Sequence, residues 1–222
     1  VDLMQLALMI RNAETAPFDL VNKERVHYFG ISLGGIMGTL FMGVDPSVRV
    51  GVLSVPGGGL PNIIQSEAIG ALLKPLISLT VGIPQADPNF PAFFHRFTHL
   101  SQWVIDAGDP INMAPVILDA ESALPGVPPK RILMQEGVVD TVVPNETTAD
   151  LARAMGIPDA KATLGCQSEA GCSGLWRYVM TEYGQAANSG HSVTGIVLQA
   201  GAQVAEFLIS DGTHILDASP VE

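Results

Sequence analysis

Positive charge is scarce in this sequence. Of 222 residues, 11 are Lys or Arg against 22 Asp or Glu, a formal net charge of -11, and the basic residues are scattered. Nucleic acid is therefore not an expected partner, because phosphate binding needs a concentrated positive patch. An anionic membrane surface is disfavoured for the same reason. Long apolar runs are missing as well. The richest, AIGALLKPLISLTVGI, is broken by Lys74 and Pro75, short of the roughly 18 apolar residues that mark a spanning helix, so no transmembrane segment is expected. Cysteine is reduced to Cys166 and Cys172, in GCQSEAGCSG. Two sulfurs without two further clustered ligands make no zinc site, and neither metal nor cofactor is expected. The short intervening loop can close into a disulfide, which points to an exported protein. The first residue is Val1 and no charged segment precedes an apolar one, so the chain reads as processed or truncated.

With 47% hydrophobic and 15% charged residues, the composition is that of a compact globular protein: one domain, or one carrying an insertion. No internal repeat is visible. Residues 2 to 12 place Leu3, Leu6, Ala7 and Ile10 at helical spacing. β-rich runs follow at 25 to 31, 48 to 56, 131 to 137 and 175 to 183. Leu33, Ile36, Met37, Leu40 and Phe41 form a helical stripe ended by Gly43. PNETTADLARAMG offers Asn145 as N-cap and Gly156 as stop. Ile196, Val197, Ala200, Val204, Phe207 and Leu208 mark a last amphipathic helix. Strands alternating with helices predict an α/β fold, a mostly parallel sheet with helices on both faces. Residues 57 to 129 break that alternation with helix-like segments around 63 to 80 and 91 to 106. So long an excursion predicts a cap or lid.

The chemistry starts at HYFGISLGGIMG. Gly30-Ile31-Ser32-Leu33-Gly34 matches G-x-S-x-G, in which a serine occupies a sharp strand-to-helix turn. The bare pattern is weak; its place at the end of a strand and the start of a helix is what discriminates. Glycine is expected at both flanks because a Cβ would crowd the turn. The helix would aim its positive end, and the Leu33 amide, at a developing oxyanion. A serine nucleophile needs a base, and the base an orienting carboxylate. Glu136 and Asp140 compete in RILMQEGVVDTVVP. Asp140 is favoured because it lies far enough beyond the strand to turn over its end. Asp106 and Asp109 read as turn residues. Among five histidines, His27 sits inside a strand, and His95 and His99 share a helical face without a third metal ligand. His191, in the loop NSGHSVTG, is favoured as base over His214 in SDGTHILD.

FGISLGG, RILMQEGVVDTVVPNETTADLA, and SGH followed by a helix and FLISDGTHILD together resemble the α/β-hydrolase superfamily, more narrowly its exported bacterial serine esterases and lipases. The resemblance runs from about residue 2 to 217. It implies that Ser32 attacks an ester or lipid carbonyl, His191 shuttles the proton and Asp140 orients His191. It implies further that the 57 to 129 cap lines an acyl pocket, with Phe90, Phe93, Phe94, Phe97 and Trp103 as walls, and that the protein is secreted or in the cell envelope. Only one helix precedes the nucleophile strand here, so the first half of the superfamily sheet is not in this chain. The loop that usually carries the second oxyanion donor is absent with it, a loss on the order of 10²- to 10³-fold in rate. An uncovered sheet edge and an N-terminal fragment or companion chain to complete it are the expected consequences.

The same triad would serve a peptidase, thioesterase or acyltransferase. A catalytically silent binding or scaffold domain is the alternative from a different class. A dinucleotide binder fails, because GISLGG has serine where the second glycine of that fingerprint must stand, and no acidic residue ends a strand about 20 residues on.

Overall fold

In the computed structural model, residues 2–15, 20–157, 166, 168 and 171–220 are described. Helix α1 (Asp2–Asn12) leads to strand β1 (Tyr28–Ile31), helix α2 (Leu33–Val44) and strand β2 (Val50–Ser54). A helical excursion follows: α3 (Leu60–Ile64), α4 (Glu67–Val81), α5 (Phe90–Ile105), α6 (Pro110–Met113) and α7 (Pro115–Leu118). The chain returns to the sheet with β3 (Arg131–Gly137), α8 (Asn145–Met155) and β4 (Gly174–Tyr178), and closes with α9 (Val193–Ile196) and α10 (Leu198–Ile209).

All four strands pair in parallel, in the order β1-β2-β3-β4. Their register aligns Ile31, Ser54, Gln135 and Trp176 across the sheet. Every strand therefore releases its loop at one edge. Strand residues alternate between two apolar layers, as the period of two requires. Leu53, Ile132, Met134 and Leu175 pack with Phe41 and Met42 of α2 and Leu151 and Met155 of α8. Val50, Val52 and Leu133 pack on the other face with Val204 and Phe207 of α10.

Four details differ from the sequence pattern. The fourth strand stops at Tyr178 rather than 183, because Met180–Tyr183 curls into a 3-10 turn closed by Gly184 in the left-handed region. Gly43 does not end α2: a Cβ there would sit 2.9 Å from Met113 Sδ, so glycine admits α6 instead. The last helix is broken by extended Val197, which frees Ile196 to be 39% exposed. Asn145 is the first helical residue rather than the cap, with Pro144 in the cap position.

β1 is an open edge. Tyr28 turns towards α2, its ring 5.4 Å from that of Phe41, while Phe29 and Ile31 are 42% and 44% exposed on the opposite face. Leu33 and Met37 of α2 are exposed as well. In the excursion, Asp109 ties α3 to α6 by accepting from the amides of Gly59, Leu60 and Ile111, the turn role expected of it. Asp106 links α5 to α6 instead, its carboxylate accepting from Gln102 Nε2 and its backbone carbonyl from Asn112 Nδ2; hydrogen bonds from Gln102 and Asn112 hold its pKa below the usual value.

At the far end of the sheet Lys130 is buried, its ammonium donating to the carbonyls of Asp45 and Val48. Burial drops its pKa to about 8, with Asp45 opposing the drop. The unfolded chain, titrating near about 10.4, holds that proton more tightly, so Lys130 lowers stability below pH 8 and the penalty is relieved as pH rises from about 8 to about 10. Urea titrations across that window should show the unfolding free energy of the wild type rising by about 2 kcal/mol relative to Lys130→Met.

Candidate active site

Ser32 stands between the last residue of β1 and the first of α2, at φ 55° and ψ -118°. An L-residue with positive φ is strained. The turn is held by the Ser32 amide, which donates to Ser54 O at 2.9 Å, and by the Ile36 amide, which donates to Ser32 O at 3.0 Å. Gly30 is sterically required, since a Cβ would collide with Gly34 O. Gly34 is not, contrary to the expectation from the pattern: its Cβ would find only Tyr28 Oη at 4.0 Å. The glycines that do let α2 close on the sheet are Gly35, against Pro56 Cβ at 3.0 Å, and Gly38, against Tyr28 Cζ at 2.9 Å. The Leu33 amide is the first of α2, among those with no partner inside the helix. Leu33 itself is 66% exposed.

Asp140 follows β3 by three residues. Its Oδ1 accepts from the amides of Val142 (2.8 Å) and Val143 (2.9 Å), and its Oδ2 lies 2.8 Å from His191 Nδ1. A carboxylate so placed accepts a hydrogen bond from Nδ1–H, which fixes the tautomer and leaves Nε2 as an acceptor. The Asp140 side chain is buried, that of His191 partly exposed. Strand β2 separates β1 from β3, so the backbones of those two strands run about 10 Å apart. The structure brings Asp140 and His191 together at the edge where Ser32 projects; Ser32 Oγ makes no hydrogen bond among the described residues.

The competing candidates are otherwise engaged. Glu136 pairs with Arg177 at 2.9 Å, His214 with Glu206 at 2.9 Å and His27 with Asp211 at 2.8 Å. His95 and His99 meet edge to face, and His95 Nδ1 lies 3.2 Å from Gln65 Oε1. Of the residues expected as pocket walls, Phe90 and Phe94 are buried within the excursion and line a cavity of about 340 Å³ with Gln65, Lys74 and His95. Phe93 stacks on Phe97. Trp103 is 83% exposed and faces solvent; a long apolar helix does not reveal from sequence which of its faces is covered.

Three positioning features were not singled out from the sequence. Gly137 and Gly190 touch backbone to backbone: a Cβ on Gly137 would lie 2.5 Å from Gly190 Cα, and one on Gly190 would lie 2.6 Å from Gly137 O. Glycine before His191 and glycine before Val-Val-Asp are the only traces in the sequence. Strain also collects here, since Ser32, Val55 and Val139, directly or shortly after the ends of β1, β2 and β3, all have positive φ. Asn145 holds the third of these loops, accepting from the amides of Val139 (2.8 Å) and Asp140 (3.3 Å) and donating to Gly137 O (2.8 Å). Asn145→Ala removes all three bonds and should lower stability by about 1–3 kcal/mol, read as a shift in the urea midpoint with unchanged slope.

Cys166 and Cys172 form a disulfide. No single helix among the described residues is long and apolar enough to cross a membrane.

No family model matches the sequence, and no curated protein matches it. Solved structures do. An esterase of Pyrococcus furiosus aligns over 95% of this chain and 61% of its own, with 13% identity and a TM-score of 0.52. The acylaminoacyl peptidase of Pyrococcus horikoshii aligns over 89% of this chain and 26% of its own, with 11% identity and a TM-score of 0.53. An acetyl xylan esterase from Paenibacillus sp. R4 aligns over 80% and 44%, with 16% identity and a TM-score of 0.50. The chain thus spans less than two thirds of the length of each. Identities this low speak to fold alone, and the parallel sheet, its flanking helices and these matches agree: the chain carries the α/β-hydrolase fold.

Proposed function

We propose that this chain is the catalytic part of a serine hydrolase that cleaves carboxylic esters, with Ser32 as nucleophile, His191 as general base and acid, and Asp140 as the group that orients His191. The observation carrying this reading is the Asp140–His191 pair at the sheet edge that also bears a serine in a strained strand-to-helix turn. Ser32 Oγ attacks the ester carbonyl carbon and passes its proton to His191 Nε2. The oxyanion accepts a hydrogen bond from the Leu33 amide. His191 returns the proton to the departing alkoxide, leaving an acyl-serine, and then activates water to release the acid. The apolar helices α4 and α5, with Phe93, Phe94 and Phe97, supply the acyl-binding surface. The disulfide fits an exported protein.

The open edge of β1 and the span of this chain against its structural neighbours support completion of the sheet by an N-terminal fragment or companion chain, which would bring the second oxyanion donor. A well-folded, fully active monomer of these 222 residues in light scattering would overturn that part of the proposal.

A fluorophosphonate probe tests the chemistry. Covalent labelling at Ser32, absent in Ser32→Ala and strongly reduced in His191→Ala, is expected. No labelling in the completed assembly would instead favour a silent binding domain. A series of p-nitrophenyl esters against peptide and thioester substrates then separates esterase from peptidase and acyl-transfer activity.

A further inference from the structure

Below the strand ends lies a polar network in the middle of an apolar layer. Ser54, Gln135 and Gln203 are 0% exposed, which is costly unless each polar atom is satisfied. Gln135 Nε2 donates to Ala200 O (3.0 Å) and to Gln203 Oε1 (3.0 Å), and Gln203 Nε2 donates to Leu216 O (2.9 Å). Carbonyls can only accept, so both amide orientations are fixed. Gln135 Oε1 must then face Thr194, whose hydroxyl donates to it at 3.0 Å. That uses the one proton of Thr194. The hydroxyl of Ser54, also hydrogen-bonded to Thr194 Oγ1, is therefore the donor, and a directional path runs from Ser54 through Thr194, Gln135 and Gln203 to Leu216, with side branches from Gln135 to Ala200 O and from the Tyr178 hydroxyl to Gln203 Oε1.

This chain ends next to the site from two sides. Ser54 is aligned with Ile31, and its carbonyl accepts the Ser32 amide. Thr194 is three residues beyond His191, in the short α9 that continues the 3-10 turn Gly190–Ser192. A four-residue helix has little stability of its own, so the turn bearing the imidazole depends on anchors elsewhere. Gly190 on Gly137 fixes it against β3; Thr194 on Ser54 fixes it over β2, beside the serine turn.

We propose that Thr194 is a positioning residue for His191: its hydroxyl, held between Ser54 and Gln135, sets how far the imidazole reaches from Asp140 towards Ser32. This rests on the reading of His191 as the base. Misplacing a catalytic group by about 1 Å can cost about 10²-fold in rate. Thr194→Val keeps the shape and removes the hydroxyl, so kcat for p-nitrophenyl acetate should fall about 10- to 100-fold with KM within about twofold. The downfield proton resonance of His191 Nδ1 should shift or broaden, and Thr194→Ser should restore both. Should Thr194→Val not fold, Ser54→Ala removes only the outermost donor, leaves no donor stranded, and should still slow kcat about tenfold. A folded Thr194→Val or Ser54→Ala with wild-type kcat overturns the proposal. A wild type that fluorophosphonate fails to label at Ser32 overturns the underlying reading instead, so the two failures are distinct.

Discussion

Asp140→Asn is expected to slow ester hydrolysis by about 10⁴-fold while the protein stays folded, the scale found when an orienting aspartate is replaced elsewhere. The size of the loss follows from which way the new amide must point. The amides of Val142 and Val143 both donate to Oδ1, so that position has to remain an oxygen. The amide nitrogen is forced into the Oδ2 position, 2.8 Å from His191 Nδ1. There it donates, and Nδ1 must accept. The histidine is driven into the tautomer with hydrogen on Nε2, which cannot take a proton from Ser32. Ser32→Ala should cost at least as much, because no other nucleophile occupies the turn, and Ser32→Ala combined with Asp140→Asn should cost little beyond either alone, since the three groups act as a unit. Steady-state kinetics on p-nitrophenyl acetate, with circular dichroism to verify folding, measure all three variants. An Asp140→Asn enzyme within about tenfold of wild type would remove Asp140 from the proposed role.

Much of this was legible beforehand, for identifiable reasons. The run at 48 to 56 is dense in Val and that at 131 to 137 carries Ile, Leu and Met because both faces of a parallel strand are buried, and they fold as β2 and β3. Asp140 was separable from Glu136 because three residues are enough to turn over a strand end and none is not; the structure gives Glu136 to Arg177 and Asp140 to His191. What escaped the sequence was long-range or ambiguous locally. An Asn before a helical pattern fits the N-cap rule, yet Asn145 serves the Val139–Asp140 loop with its side chain. The apolar stripe from 196 to 208 is continuous in type, and nothing in it marks the interruption at extended Val197. Trp103 was read as a wall by residue type, but type does not say which side of α5 is covered. The motif glycine at 34 proved sterically unneeded, while glycines outside any motif carry the closest approaches.

Those last glycines give the second large effect. Gly137→Ala should destabilise the protein by about 3 kcal/mol or more and reduce kcat of the surviving folded fraction by at least about 10²-fold. The added methyl would meet Gly190 Cα and C at 2.5 and 2.6 Å, backbone atoms with no rotamer to yield. Relief requires moving the Gly190 backbone, and the next residue is His191. The collision is thereby converted into displacement of the imidazole from Asp140. Gly190→Ala should behave alike, its Cβ lying 2.6 Å from Gly137 O and 2.7 Å from Val138 O. Gly34→Ala is the contrast: it lies inside the nucleophile motif and in a helix, where alanine is favoured by about 1 kcal/mol over glycine, and its Cβ would have 4.0 Å to Tyr28 Oη. Urea unfolding should find Gly34→Ala as stable as wild type or more so, with kcat little changed. If Gly34→Ala were crippling and Gly137→Ala silent, motif membership rather than backbone contact would be governing the site, and the account of how β3 delivers His191 to Ser32 would fail.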